Sequence, residues 1–170
     1  MASDGSKFSG SEMSSLMLRG AISMIEGGES EKVSFLKCFT IQPDDHPLIT
    51  DSTRQIVISM IPQASHSTDG KSMSIGGLNY IVDDGTAMIT TALDPKFRPN
   101  VSVTLDIKFL QPIPLGEQID MLVIVQDIVA NYVNQKFEIY SPAGKLLAYG
   151  SHLKAFLVKG QVFSPTRQKL

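Results

Sequence analysis

A chain of 170 residues, 42% of them apolar and with a net charge of −2, is sized for one domain with a substantial core. Its lysines and arginines are scattered, which excludes nucleic acid or a polyanionic surface as the main partner, and no apolar run is long enough to span a bilayer. The single cysteine, Cys38, excludes an internal disulfide.

Residues 1–11 are rich in Ser and Gly and read as a disordered tail, with neither a secretory h-region nor an Arg-rich transit pattern. A cytoplasmic location is the expectation that follows. Met13, Leu16, Met17, Ala21, Met24 and Ile25 then recur at helical spacing between Ser11 as N-cap and Gly27-Gly28 as the stop, predicting an amphipathic helix on the domain edge. Residues 33–41 are β-branched and aromatic and predict a strand, within which Cys38 reads as a small core residue. A loop containing His46 leads to a second strand over 54–61, ended by Pro62.

The polar loop 63–72, in which His66 reads as a solvated side chain, feeds the stretch 76–93. Apolar residues lie on nearly every side of that stretch, which predicts a buried helix. Beyond it, Val101, Val103, Leu105, Ile107 and Phe109 alternate with Ser102, Thr104, Asp106 and Lys108, as in a half-buried strand. A Pro- and Gly-containing turn over 112–116 precedes a strand from 118 to about 129, a turn at 131–134, and a hairpin of 135–140 with 146–158. Residues 161–170 read as a C-terminal tail. The order predicts one α+β domain over 12–160, an antiparallel sheet wrapped on one long helix. Gly76-Gly77 is too short for a dinucleotide fingerprint and no His/Cys set has metal-ligand spacing, so neither cofactor nor metal is expected.

The chemistry gathers on the long helix. Burying an unpaired charge is costly, so Asp83 and Asp84 should be paired, hydrogen-bonded or neutralised. Seven residues, close to two turns, separate Gly77 from Asp84 and place them on one stripe, while Asp83 points about 100° away. At the glycine-led helix start, free N–H groups and the positive end of the dipole favour a polarised oxygen. A donor site and a carboxylate on one helix are two parts of an acyl-transfer site. Asp84 has a second reading, as a structural carboxylate in an oligomer interface. Asp83 reads as structural or exposed, with an exchange of roles between it and Asp84 as the alternative, and Gly85 as a point of close helix–sheet approach.

With those residues placed, the chain resembles the hotdog-fold thioesterases of the phenylacetate-pathway and small acyl-CoA thioesterase type. The resemblance spans about residues 33–158. It rests on Gly76-Gly77, Asp84, Val101-Ser102-Val103, Phe109-Leu110-Gln111-Pro112, Pro114-Leu115-Gly116-Glu117 and the hairpin ending Gly144-Lys145-Leu146-Leu147-Ala148-Tyr149-Gly150. It implies chains paired edge to edge into homodimers, commonly homotetramers. The site would lie at their interface, between helix-start amides of one chain and the helix carboxylate of the other.

Carried over by position, the resemblance makes Gly76 the N–H that polarises a thioester carbonyl, with Gly77 beside it. Asp84 becomes general base or nucleophile, and Ser102 the hydroxyl that holds the attacking water. Asp69 stands where the group usually has Asn; it is read equally as site residue and as loop solvation. Ile75 occupies the position where the family commonly carries His, against the substrate. Toward an acyl-CoA carrier, His152 and Lys154 remain on the last strand. The implied activity is acyl-thioester hydrolysis. The alternative is a hotdog module that binds such a ligand without cleaving it, favoured by Ile75 and Asp69. A hotdog dehydratase would need a His beside the acid, which this helix lacks.

Overall fold

The computed structural model describes residues 39–51, 54–94, 96 and 98–157. The predicted N-terminal helix, Cys38, the start of the first predicted strand and both tails lie outside the described residues. Six strands make one antiparallel sheet: β1 (Phe39–Ile41), β2 (Gln55–Met60), β3 (Asn100–Phe109), β4 (Ile119–Val129), β5 (Tyr132–Tyr140) and β6 (Leu146–Phe156). Their order across the sheet is β1-β2-β4-β5-β6-β3, so the chain crosses from β2 to the far edge and then fills the middle with a meander. One long helix, α1 (Ile75–Leu93), makes that crossing and packs on one face of the sheet. This is the hotdog architecture.

The core is where the apolar pattern puts it. Leu78, Ile81, Val82 and Ile89 of α1 meet Ile58, Met121, Phe137 and Ile139 of the sheet, each at most 2% exposed. Gly85 sits against the Met121 side chain, so the close approach expected there is present. At the far end of α1, Asp94 binds Arg98 at 2.7 Å, and the guanidinium lies 4.6 Å from the Phe156 ring centre, tying the helix end to β6. Among the described residues no helix is long and apolar enough to cross a membrane.

Two strands differ from the sequence pattern, and the second difference bears on the site. The turn expected at 131–134 is shorter: Ala130 takes the left-handed conformation at φ 53°, and β5 restarts at Tyr132. Tyr132 and Val133 are good strand residues, and Val133 continues the buried phase of Gln135, Phe137 and Ile139. In β3 the register against β6 shifts between Ser102 and Thr104, leaving Val103 47% exposed. A bulge of this kind moves the residues on either side into a new phase. Ser102 therefore shares a face with Leu105, opposite Lys154 and His152 respectively, and the expected five-residue apolar face is broken.

Candidate functional site

The helix begins where Ser74 caps it: its hydroxyl accepts the Gly77 N–H at 3.0 Å. The loop before it folds back as a single 3-10 turn, Ala64–His66. The His66 carbonyl oxygen accepts the Ser74 N–H at 2.9 Å and the Ser74 hydroxyl at 3.1 Å. Gly77 packs directly on that same carbonyl, so closely that a Cβ would collide with it. His66 is thus buried, with Nδ1 accepting the Gln63 N–H at 3.0 Å, rather than solvated as its polar loop suggested. Burial holds its imidazole below the ordinary range.

Gly76, one residue earlier, is exposed, and a Cβ there would have only the Ser74 hydroxyl at 4.0 Å. The Gly77 N–H is taken by Ser74, and Gly76 is the glycine of the pair with open surroundings. Ile75 beside it is 67% exposed.

Two turns into α1, a polar cluster interrupts the core. Asp83 Oδ1 accepts the Ser102 hydroxyl at 2.5 Å and the Lys154 ammonium at 2.7 Å. Lys154 also reaches Ser102 Oγ at 3.1 Å, and His152 Nε2 lies 2.9 Å from the same oxygen. The other ring nitrogen of His152 is 2.7 Å from Thr86 Oγ1 on the helix. His152 is fully buried and Lys154 2% exposed, so both face Asp83 and Ser102 from inside the fold.

Burial raises the Asp83 carboxyl, but the hydrogen bonds from Lys154 and Ser102 and the charge of Lys154 outweigh it and hold the group below the carboxylate range. Burial pushes Lys154 down, against its hydrogen bond to Asp83 and the charges of Asp83 and Asp84. Burial, aided by the Lys154 charge and opposed by Asp83, lowers His152 to about 4. The cluster opens on a cavity of ≈ 310 Å³ lined by Asn79, Tyr80, Asp83, Ser102 and Leu105.

The structure thus brings Ser102, His152 and Lys154 together around Asp83, the carboxylate read first as structural or exposed and only in the alternative as exchanging roles with Asp84. Asp84, half-buried, follows it on the helix and its charge reaches Lys154. Asp69 is exposed and closes its own loop: its carboxylate accepts the Lys71 N–H at 2.9 Å, the Ser72 N–H at 3.2 Å and the Ser67 hydroxyl at 3.0 Å. Those backbone bonds, foremost the one from Lys71, hold its carboxyl low. Thr86 was not singled out in the sequence. The inward role of His152 and Lys154 had a signal, since both fall in phase with Ala148, a buried small residue on the same strand. Among the described residues no group of three or more His, Cys, Asp or Glu is placed to hold a metal.

Comparison of the fold with solved structures finds hotdog proteins. The PaaI protein of the Escherichia coli phenylacetic acid degradation operon matches at TM-score 0.65 and 18% identity, over 86% of this chain and 96% of that one. Zebrafish thioesterase superfamily member 2 matches at TM-score 0.62 and 21% identity, over 82% and 94%. A hypothetical thioesterase from Streptococcus pneumoniae, solved with coenzyme A, matches at TM-score 0.58 and 11% identity, over 69% and 87%. No protein-family model and no curated protein sequence matches the chain.

Proposed function

We propose that this protein hydrolyses acyl thioesters, of the acyl-CoA class, at a site shared between two copies of the chain. The observation that carries the reading is the Ser102 hydroxyl of β3, held at the edge of a cavity by Asp83 of α1 and by His152 and Lys154 of β6, with Asp84 next to Asp83 on the helix. The hotdog fold and the thioesterases that share it support the reaction class, and the coenzyme A bound to one of them supports the carrier.

The Gly76 N–H of one copy polarises the thioester carbonyl and receives the oxyanion as it forms. Removing such a donor costs about 10²–10³ in rate, so a backbone amide carries as much as a side chain. Asp84 of the other copy takes a proton from water as the water oxygen bonds to the carbonyl carbon. The carbon–sulfur bond then breaks, and the thiolate leaves with that proton. Ser102 orients the water, while Asp83 and Lys154 hold Ser102. Exposed Ile75 and Tyr80 offer apolar surface to the acyl chain. His152 and Lys154, buried as they are, serve the reaction centre in this scheme rather than the nucleotide of the carrier. Homodimers, associating further into tetramers, would form along the β3 edge.

Thiol release from a panel of acyl-CoAs tests the activity. Asp84→Ala is expected to lower kcat by about 10²-fold or more with the fold retained; unchanged turnover rejects the assignment. The binding-module reading is favoured by Asp69, whose acceptor capacity is spent on its own loop where a carbonyl donor would serve catalysis. Acyl-CoA binding without thiol release is its signature.

A further inference from the structure

The two oxygens of Asp83 have different surroundings. Oδ1 takes both the Ser102 hydroxyl and the Lys154 ammonium, which hold the carboxylate from inside the fold, whereas Oδ2 takes neither bond. The Asp83 side chain is 46% exposed and lines the cavity, so Oδ2 is the oxygen it turns outward.

Asn79 and Tyr80 stand four and three residues before Asp83 on α1, so their side chains neighbour it on one face of the helix. Both are exposed, and both line the same cavity. Leu105 supplies the apolar wall from β3. The helix thus offers this cavity three acceptors: a carboxylate oxygen, an amide carbonyl and the electron-rich face of a tyrosine ring. Among the described residues lining it there is no cationic side chain. The ammonium of Lys154 lies behind Asp83, 2% exposed and bonded to Oδ1.

A group that fills the cavity strips water from Asp83 Oδ2. An alkyl end leaves that oxygen without a partner, and a carboxylate end is repelled by it. A hydroxyl brings one hydrogen to three acceptors. An ammonium brings three hydrogens and no lone pair to satisfy. Charge points the same way, because Asp83 and Asp84 both act on the single charge of Lys154, and one further positive charge balances the set.

We propose that this cavity selects acyl groups bearing an ammonium, with Asp83 Oδ2 as the specificity-determining acceptor and Asn79 and Tyr80 beside it. This deepens the hydrolase reading and rests on it, by naming the class of acyl group that the site takes.

Thiol release from acyl-CoAs matched in length and differing only at the end tests the choice. The long set is heptanoyl-, 6-hydroxyhexanoyl-, 6-aminohexanoyl- and adipoyl-CoA; the short set is butanoyl-, 3-hydroxypropanoyl- and 3-aminopropanoyl-CoA. In at least one set the ammonium compound should exceed its methyl isostere by about 10²-fold in kcat/KM, with the hydroxyl compound between them. Adipoyl-CoA should be the poorest of the long set. A methyl or hydroxyl compound that equals or exceeds the ammonium compound in both sets overturns the proposal. Asp83→Asn keeps the shape and removes the charge, so it should lower the ammonium-to-methyl ratio about tenfold or more, whatever its overall rate. If that variant is inactive or unfolded, Asn79→Leu, which alters only the cavity wall, should lower the same ratio several-fold. A ratio that survives the substitution overturns the proposal. A protein that releases no thiol from any of these compounds fails the hydrolase reading alone. Calorimetric binding of the uncleaved acyl-CoAs then reads the same order, and equal affinity for the ammonium and methyl members overturns the selectivity.

Discussion

At the scale of single residues, the buried imidazole makes stability depend on pH in a definite direction. His152 titrates near 4 in the folded chain against an ordinary 6.5. Between those values the unfolded chain binds a proton that the folded chain refuses, so stability is full above pH 6.5 and falls as pH drops toward 4. The span corresponds to about 3 kcal/mol as an upper figure. Asp83 acts in a lower window: its depressed carboxyl contributes above the ordinary 3.8 and is lost as acid protonates it in the folded state. Urea unfolding midpoints across the two windows separate them, since His152→Gln should flatten the upper slope and leave the lower. A wild-type midpoint that does not move between pH 6.5 and 4 would contradict the assignment. That Asp83, not only its neighbour Asp84, commands the polar cluster was beyond the sequence. Adjacent helical residues differ by about 100° in direction, and only the packed helix fixes which one meets β3 and β6.

At the scale of elements, the two helix-start glycines separate packing from chemistry. Gly77 has no room for a Cβ above the rigid His66 backbone, whereas Gly76 has open space. Gly77→Ala should cost about 1–3 kcal/mol through forced backbone shifts. Gly76→Ala should keep the melting temperature and lose turnover, because its methyl would crowd the bound thioester. Paired thermal melts and thiol-release rates check both. A Gly76→Ala protein with wild-type activity would remove that amide from the site. The helix itself was legible, since nineteen residues of dense apolar spacing admit little else, though its cap lay at Ser74, ahead of the glycines. The β3 bulge was not legible. A period-two pattern carries no mark for one extra residue, and that residue, Val103, decides that Ser102 faces the helix. The early restart of β5 was legible in principle, because Tyr132 and Val133 are stronger strand formers than turn formers.

At the scale of the whole molecule, the sheet of the described residues ends in two edges, β1 and β3, and the β3 side carries exposed Val103, Phe109 and Leu110. Long apolar edges invite a partner strand. A shared site requires a second copy, so light scattering should give a dimer or tetramer. Turnover should fall with dilution at the concentration where the assembly dissociates. Full activity in a monomer would rule out the shared site. Charge replacement at Val103 should weaken association while the core, which it does not enter, stays folded.

The tie between Ser74, Gly77 and the His66 carbonyl reaches further than capping. It clamps the approach loop and the first helical turn into one rigid block. A donor aimed before its target arrives spends nothing on reorienting during the reaction. Amide exchange at Ser74 and Gly77 should therefore already be slow in the empty protein and change little when ligand enters.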